Sequence, residues 1–189
     1  MELTVLICSV DPKRRNKLVT IIKQLGFYVV SEAADVHQAL RQVQTTMPQL
    51  VLFDIVHYDP GSLEVASLIS RERLAPVILI SGPHHQEVVQ TVHDNSAMAY
   101  VVTPINLWAL EASIYATMAN FRKLKQMEAE LSKLKDTLES RKLVDKAKHI
   151  LMKEKQITEP EAFRLLQKES MDKGIPMKKL AEAIVFNEK

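Results

Sequence analysis

The chain has 189 residues and six histidines, with a formal net charge of +2, 47% hydrophobic and 25% charged residues. That suits one or two soluble globular domains and argues against a disordered or membrane-spanning chain, since no apolar run approaches the length of a span. Met1-Glu2-Leu3 has no basic stretch ahead of its apolar run, so it reads as the start of a strand rather than a signal peptide. Cys8 is the only cysteine, which excludes an internal disulfide and fits a cytoplasmic setting, with the thiol read as a small core residue. Residues 1–120 carry 8 Lys/Arg and 11 Asp/Glu, whereas residues 121–189 carry 17 and 12. The basic half suits either contact with a polyanion or a solvated lysine-rich surface.

Up to residue 106 the chain alternates between short β-rich runs and segments with helical spacing. The runs are Leu3–Cys8, Tyr28–Val30, Leu50–Ile55, Val77–Ser81 and Tyr100–Val102. Asp11-Pro12 is an N-cap followed by proline at the first helical position, and Gly26 suits the residue that ends that helix. Leu50-Val-Leu-Phe and Val77-Ile-Leu-Ile are unbroken apolar runs, as expected of parallel strands covered on both faces. The alternation predicts an α/β doubly wound domain with a five-stranded parallel sheet, flavodoxin-like, over residues 1–118.

From Leu107 the pattern becomes helical, with no Pro or Gly before Pro160. Leu124, Leu131 and Leu138 recur at heptad spacing with Met127 and Leu134 between them, giving a candidate dimer seam in a coiled-coil linker over 119–137. The same stripe also suits one amphipathic helix packed on its own domain. Leu143, Val144, Ala147, Ile150 and Leu151 then continue as a core-facing stripe. Thr158-Glu-Pro-Glu161 reads as a capping box opening a second helix, and Gly174 and Pro176 separate it from a third carrying Met177, Leu180, Ala181, Ile184 and Val185. An all-α three-helix unit over 138–189 is expected.

Five β/α units with an aspartate closing the third strand resemble the receiver domain of two-component response regulators. The resemblance implies that Asp54 is the phosphoacceptor position and that Ser81 matches the hydroxyl residue after strand four. It also implies a Lys-Pro pair where this chain has Thr103-Pro104, and paired Mg²⁺-binding acids where it has Ser9 and Val10, with Asp11 one place further on. Mg²⁺ and a lysine ammonium normally offset the charge of phosphoryl transfer. Without them this is a degenerate pocket, a pseudo-receiver for which neither Mg²⁺ nor another cofactor is expected. Asp54 then reads as an ionised residue satisfied by water and backbone. His57, His84 and His85 come from loops at the same sheet edge, but their spacing matches no metal motif. A regulatory protein or a small ligand is the expected occupant of that edge.

Leu138 to Met152, Glu161-Ala-Phe163 with Leu165-Leu166, and Leu180 to Val185 resemble the three helices of the ANTAR domain, an RNA-binding module. The order receiver, coiled coil and ANTAR is similar to that of the amidase-operon and ethanolamine-utilisation antiterminators. One departure is His149, where the family has glycine. The resemblance implies a homodimer that binds paired hairpin loops in a leader transcript and prevents terminator formation. Arg141, Lys142, Lys146, Lys148, Lys153 and Arg164 would supply basic contacts, with Ala147, Ala162 and His149 at points of close approach. Phe163 would stack on a base or belong to the core. No phosphate-cradling loop, metal motif or nucleophile–base pair points to an enzyme. Two other classes stay open: a DNA-binding response regulator and a protein-interaction adaptor.

Overall fold

The computed structural model describes residues 3–55, 60–83 and 86–187. The elements run β1 (Thr4–Ser9), α1 (Pro12–Gln24), β2 (Tyr28–Ala33), α2 (Val36–Thr46), β3 (Leu50–Asp54), α3 (Pro60–Arg71), β4 (Val77–Ser81), α4 (Gln86–His93) and β5 (Met98–Val102). Helices α5 (Leu107–Lys155), α6 (Glu159–Lys173) and α7 (Met177–Asn187) follow. The chain divides into two compact units, Met1–Gln126 and Met127–Lys189.

In the first unit, five parallel strands lie in the order β2-β1-β3-β4-β5. Alternate residues of the central strands feed two separate cores, as the pleat requires. Leu6, Val51, Phe53, Val77 and Leu79 pack with Ala39, Val43, Ala66, Ile69 and Val88 of α2, α3 and α4. Val5, Ile7, Leu50, Leu52, Ile78 and Ile80 pack with Leu18, Ile22, Leu110 and Ile114 of α1 and α5. The edge strands are longer than the sequence suggests: β2 continues through Ser31 and Glu32 to Ala33, and β5 begins at Met98. At β2 the partly solvated edge tolerates Ser31 and Glu32, so the apolar run understates that strand's length.

Asp11 caps α1, its carboxylate accepting from the Lys13 and Arg14 amides at 2.8 and 3.4 Å. Gly26 then takes a φ of 79°, the left-handed turn that glycine adopts without Cβ strain. This cap aims the first turn of α1, including Arg14, at the carboxyl end of the sheet.

In the second unit, the C-terminal part of α5 with α6 and α7 encloses a core of Ala147, Leu151, Ala162, Leu166, Leu180 and Ala181. At the α6 start, the Thr158 amide and hydroxyl both donate to the Glu161 carboxylate, at 2.8 and 2.7 Å. Those bonds hold the Glu161 carboxyl below its ordinary value. Gly174, with φ of 62°, closes α6.

Candidate functional site: a degenerate receiver pocket and a basic helical unit

The register β1–β3 places Ser9 directly beside Asp54 at the carboxyl ends of the strands. The Ser9 hydroxyl donates to Asp54 Oδ2 at 2.8 Å. Asp54 is also gripped side-on by Arg14, whose Nε donates to Oδ2 at 2.7 Å and whose Nη2 donates to Oδ1 at 2.8 Å. The Asp54 side chain is 2% exposed and that of Arg14 is 31% exposed. The charge-assisted bond to Asp54, against the opposing effect of burial, raises the Arg14 pKa above its ordinary value.

This arrangement corrects the expectation that water and backbone satisfy Asp54. Local sequence does not reveal this role of Arg14, because the arginine lies 40 residues before its partner. The lost lysine gave the only hint, since a buried carboxylate without that cation needs another.

Val10 is exposed. Ser81 is buried, its hydroxyl donating to the Gly82 carbonyl at 3.2 Å. Thr103 and Pro104 form the loop after β5, the Thr103 amide donating to the Ser81 carbonyl at 2.9 Å.

The residues present do not fit the Mg²⁺ of a working receiver. Mg²⁺ needs several oxygens in octahedral array. Asp11 is engaged in its helix cap, both Asp54 oxygens face the guanidinium, and Ser9 and Val10 replace the paired acids. No cluster of three or more His, Cys, Asp or Glu suited to a metal occurs among the described residues. His57, His84 and His85 lie outside them.

Beside the Arg14–Asp54 pair, a pocket of about 340 Å³ opens between α1 and the β5–α5 loop. A larger cavity, about 770 Å³, opens at the opposite end of the sheet against Met47, Leu74 and Phe121.

In the second unit, Arg141, Lys142, Lys146, Lys153 and Arg164 are exposed and form no salt bridge among the described residues. Phe163 is 42% exposed and stands outside the core cluster. His149 is exposed on α5.

Three of the expected RNA contacts need revision. Ala147 and Ala162 are fully buried, so their small size serves close approach of α5 to α6 and leaves no surface for RNA. Lys148 is 14% exposed, with its ammonium 2.7 Å from Asp145 and 2.6 Å from Glu159. Those two hydrogen bonds raise its pKa and neutralise it locally. On α5, Met127, Leu131, Leu134 and Leu138 are exposed and Leu124 is half-buried.

A doubly wound parallel sheet with an aspartate at its carboxyl edge, followed by a long helix and an all-α module, defines a receiver-fold regulator with a helical output. Comparison with known proteins carries this further. The response regulator receiver domain family matches residues 5–115, and the ANTAR domain family matches 132–185. Transcriptional regulatory protein PdtaR of Mycobacterium tuberculosis is 32% identical over 181 residues, covering 96% of this chain and 88% of that one. The nitrate regulatory protein of Klebsiella oxytoca is 42% identical over 62 residues, 33% of this chain and 16% of that one.

Among solved structures, a CheY-like receiver domain from Methanospirillum hungatei aligns with a TM-score of 0.56 and 22% identity, over 65% of this chain and 98% of that one. At that identity the likeness shows the fold alone. The chain belongs to the family of response-regulator receiver proteins that carry an ANTAR domain. The family is a regulatory one.

Proposed function

We propose that this protein is an RNA-binding transcription antitermination regulator. The observation that carries the reading is the three-helix ANTAR unit, which presents five cations without a salt bridge among the described residues, together with a half-exposed Phe163. Basic side chains near an exposed aromatic suit single-stranded loop bases, which are read by stacking and backbone contacts. The name of PdtaR, a transcriptional regulatory protein, supports the transcriptional half of the reading.

The exposed stripe of α5 supports homodimerisation. Its exposed Met127, Leu131, Leu134 and Leu138 form a heptad stripe that a second copy would cover. A dimer carries two RNA-binding units, so each hairpin raises the effective concentration of the other. Holding both hairpins prevents an overlapping terminator from forming. The receiver unit gates this output through a partner or ligand rather than through phosphoryl transfer, because Arg14 occupies the carboxylate that would accept the phosphate. The regulator works in the cytoplasm and needs no cofactor. No described helix is long and apolar enough to cross a membrane.

The test is binding of the full chain to an RNA with two adjacent hairpins, against a one-hairpin RNA and duplex DNA at matched salt. A strong preference for the two-hairpin RNA is expected. Equal binding to all three, or preference for the duplex, refutes the reading.

A further inference from the structure

The pocket beside the Arg14–Asp54 pair has a chemistry of its own. Its described lining is Arg14, Lys17, Leu18, Thr103, Pro104 and Ile105. Two cations and a hydroxyl therefore face an apolar wall at the carboxyl end of a parallel sheet, where open α/β folds place their ligands. Its volume of about 340 Å³ is that of a small-molecule site.

Donors on its rim remain available among the described residues. Arg14 uses Nε and one N–H of Nη2 on Asp54, and Nη1 has no hydrogen-bond partner among them. Lys17 is exposed and forms no salt bridge among the described residues. The Thr103 amide is committed to Ser81, but its hydroxyl has no hydrogen-bond partner among them. Asp54 and Asp11 both act on Arg14, but the described lining itself holds two cations and no carboxylate. A guanidinium already fixed side-on by a carboxylate is pre-oriented, so little rotamer freedom is lost when its remaining donors engage a second anion.

We propose that this pocket binds a small organic oxyanion, a carboxylate or a phosphate monoester, with its charged head on Arg14, Lys17 and Thr103 and its apolar part against Leu18, Pro104 and Ile105. The ligand reaches Asp54 through the shared guanidinium of Arg14. This inference deepens the ligand-gated part of the function proposed above and rests on it. Whether the ANTAR unit binds RNA is a separate matter.

The experiment is NMR titration of the full chain with butyrate, phenyl phosphate, inorganic phosphate and butyramide, with sodium chloride at matched ionic strength. The Arg14 Nε–H and Thr103 amide resonances are followed. Saturable shifts with butyrate or phenyl phosphate, absent with butyramide and chloride, are expected, and the stronger arm identifies the head group. Lys17→Gln and Thr103→Val are each expected to weaken that binding about tenfold, whereas Lys23→Gln at the other end of α1 leaves it unchanged.

Shifts of equal size with chloride, or binding that both pocket variants retain, mean an adventitious ion only and overturn the proposal. Two-hairpin RNA binding is measured on the same samples. A chain that prefers the two-hairpin RNA but fails the anion titration loses this inference alone. A chain that binds the oxyanion but not RNA loses the antitermination reading.

Discussion

Replacing Arg14 by methionine removes the guanidinium while keeping much of its apolar stem. Asp54, with a side chain 2% exposed, is then left with the Ser9 hydroxyl as its described side-chain donor. Breaking one partner out of a buried ion pair costs about 3–5 kcal/mol. Arg14 is 31% exposed, so water can reach its end of the pair, and the expected cost falls to about 2–3 kcal/mol. Asp54→Asn removes the charge that needs compensation, so the double variant should recover about 2 kcal/mol relative to the sum of the single changes. Native-state hydrogen exchange at the Ile7 and Leu52 amides in the middle of the sheet reads the opening free energy of the receiver unit within the full chain. The coupling corresponds to about a thirtyfold difference in exchange rate. Single effects that add to within about 0.5 kcal/mol would refute the claim that Arg14 is the counter-ion of Asp54.

Three other outcomes follow from the same geometry. Leu131→Asp places a carboxylate in the middle of the α5 stripe, and sedimentation should show a monomer whose preference for two-hairpin RNA is lost; a dimeric variant with normal binding would remove the seam from the reading. Lys142→Ala should lower the salt slope of RNA binding by about one. Lys148→Ala should change it much less, because Asp145 and Glu159 already neutralise that ammonium. Burial is the main cause that pushes the Cys8 thiol up to about 12, with Asp35 adding to it. A folded pKa raised above the unfolded value of 9.0 gives stability that is fully present below pH 9 and is lost as pH rises towards 12. The loss from this group at pH 10 is on the order of 1 kcal/mol, and it should vanish in Cys8→Ala when denaturant midpoints are compared between pH 8 and pH 10. Equal alkaline losses in both proteins would mean that Cys8 is not the group responsible.

Much of the architecture is written in local pattern. Unbroken apolar runs at Leu50 and Val77 specify strands covered on both faces. Asp11-Pro12 and Gly26 bracket α1, and the change of period after Leu107 marks where the sheet ends and the long helix begins. Position along the chain also placed Asp54, Ser9, Ser81 and Thr103 at one edge, because each follows a strand of a parallel sheet and such ends converge. What these residues touch was not legible there. Arg14 looks like any basic residue in the first turn of a helix. Only the β1–β3 register, together with the α1 cap, brings its guanidinium onto Asp54. In the same way, residue type and helical spacing could not tell the buried Ala147 and Ala162 from surface positions, or the neutralised Lys148 from the exposed Lys146. The sequence by itself determines which segments form strands and helices, since that depends on neighbours along the chain. The tertiary structure decides which charges are spent and which remain for a ligand, since a side chain's partner depends on distances that only packing sets.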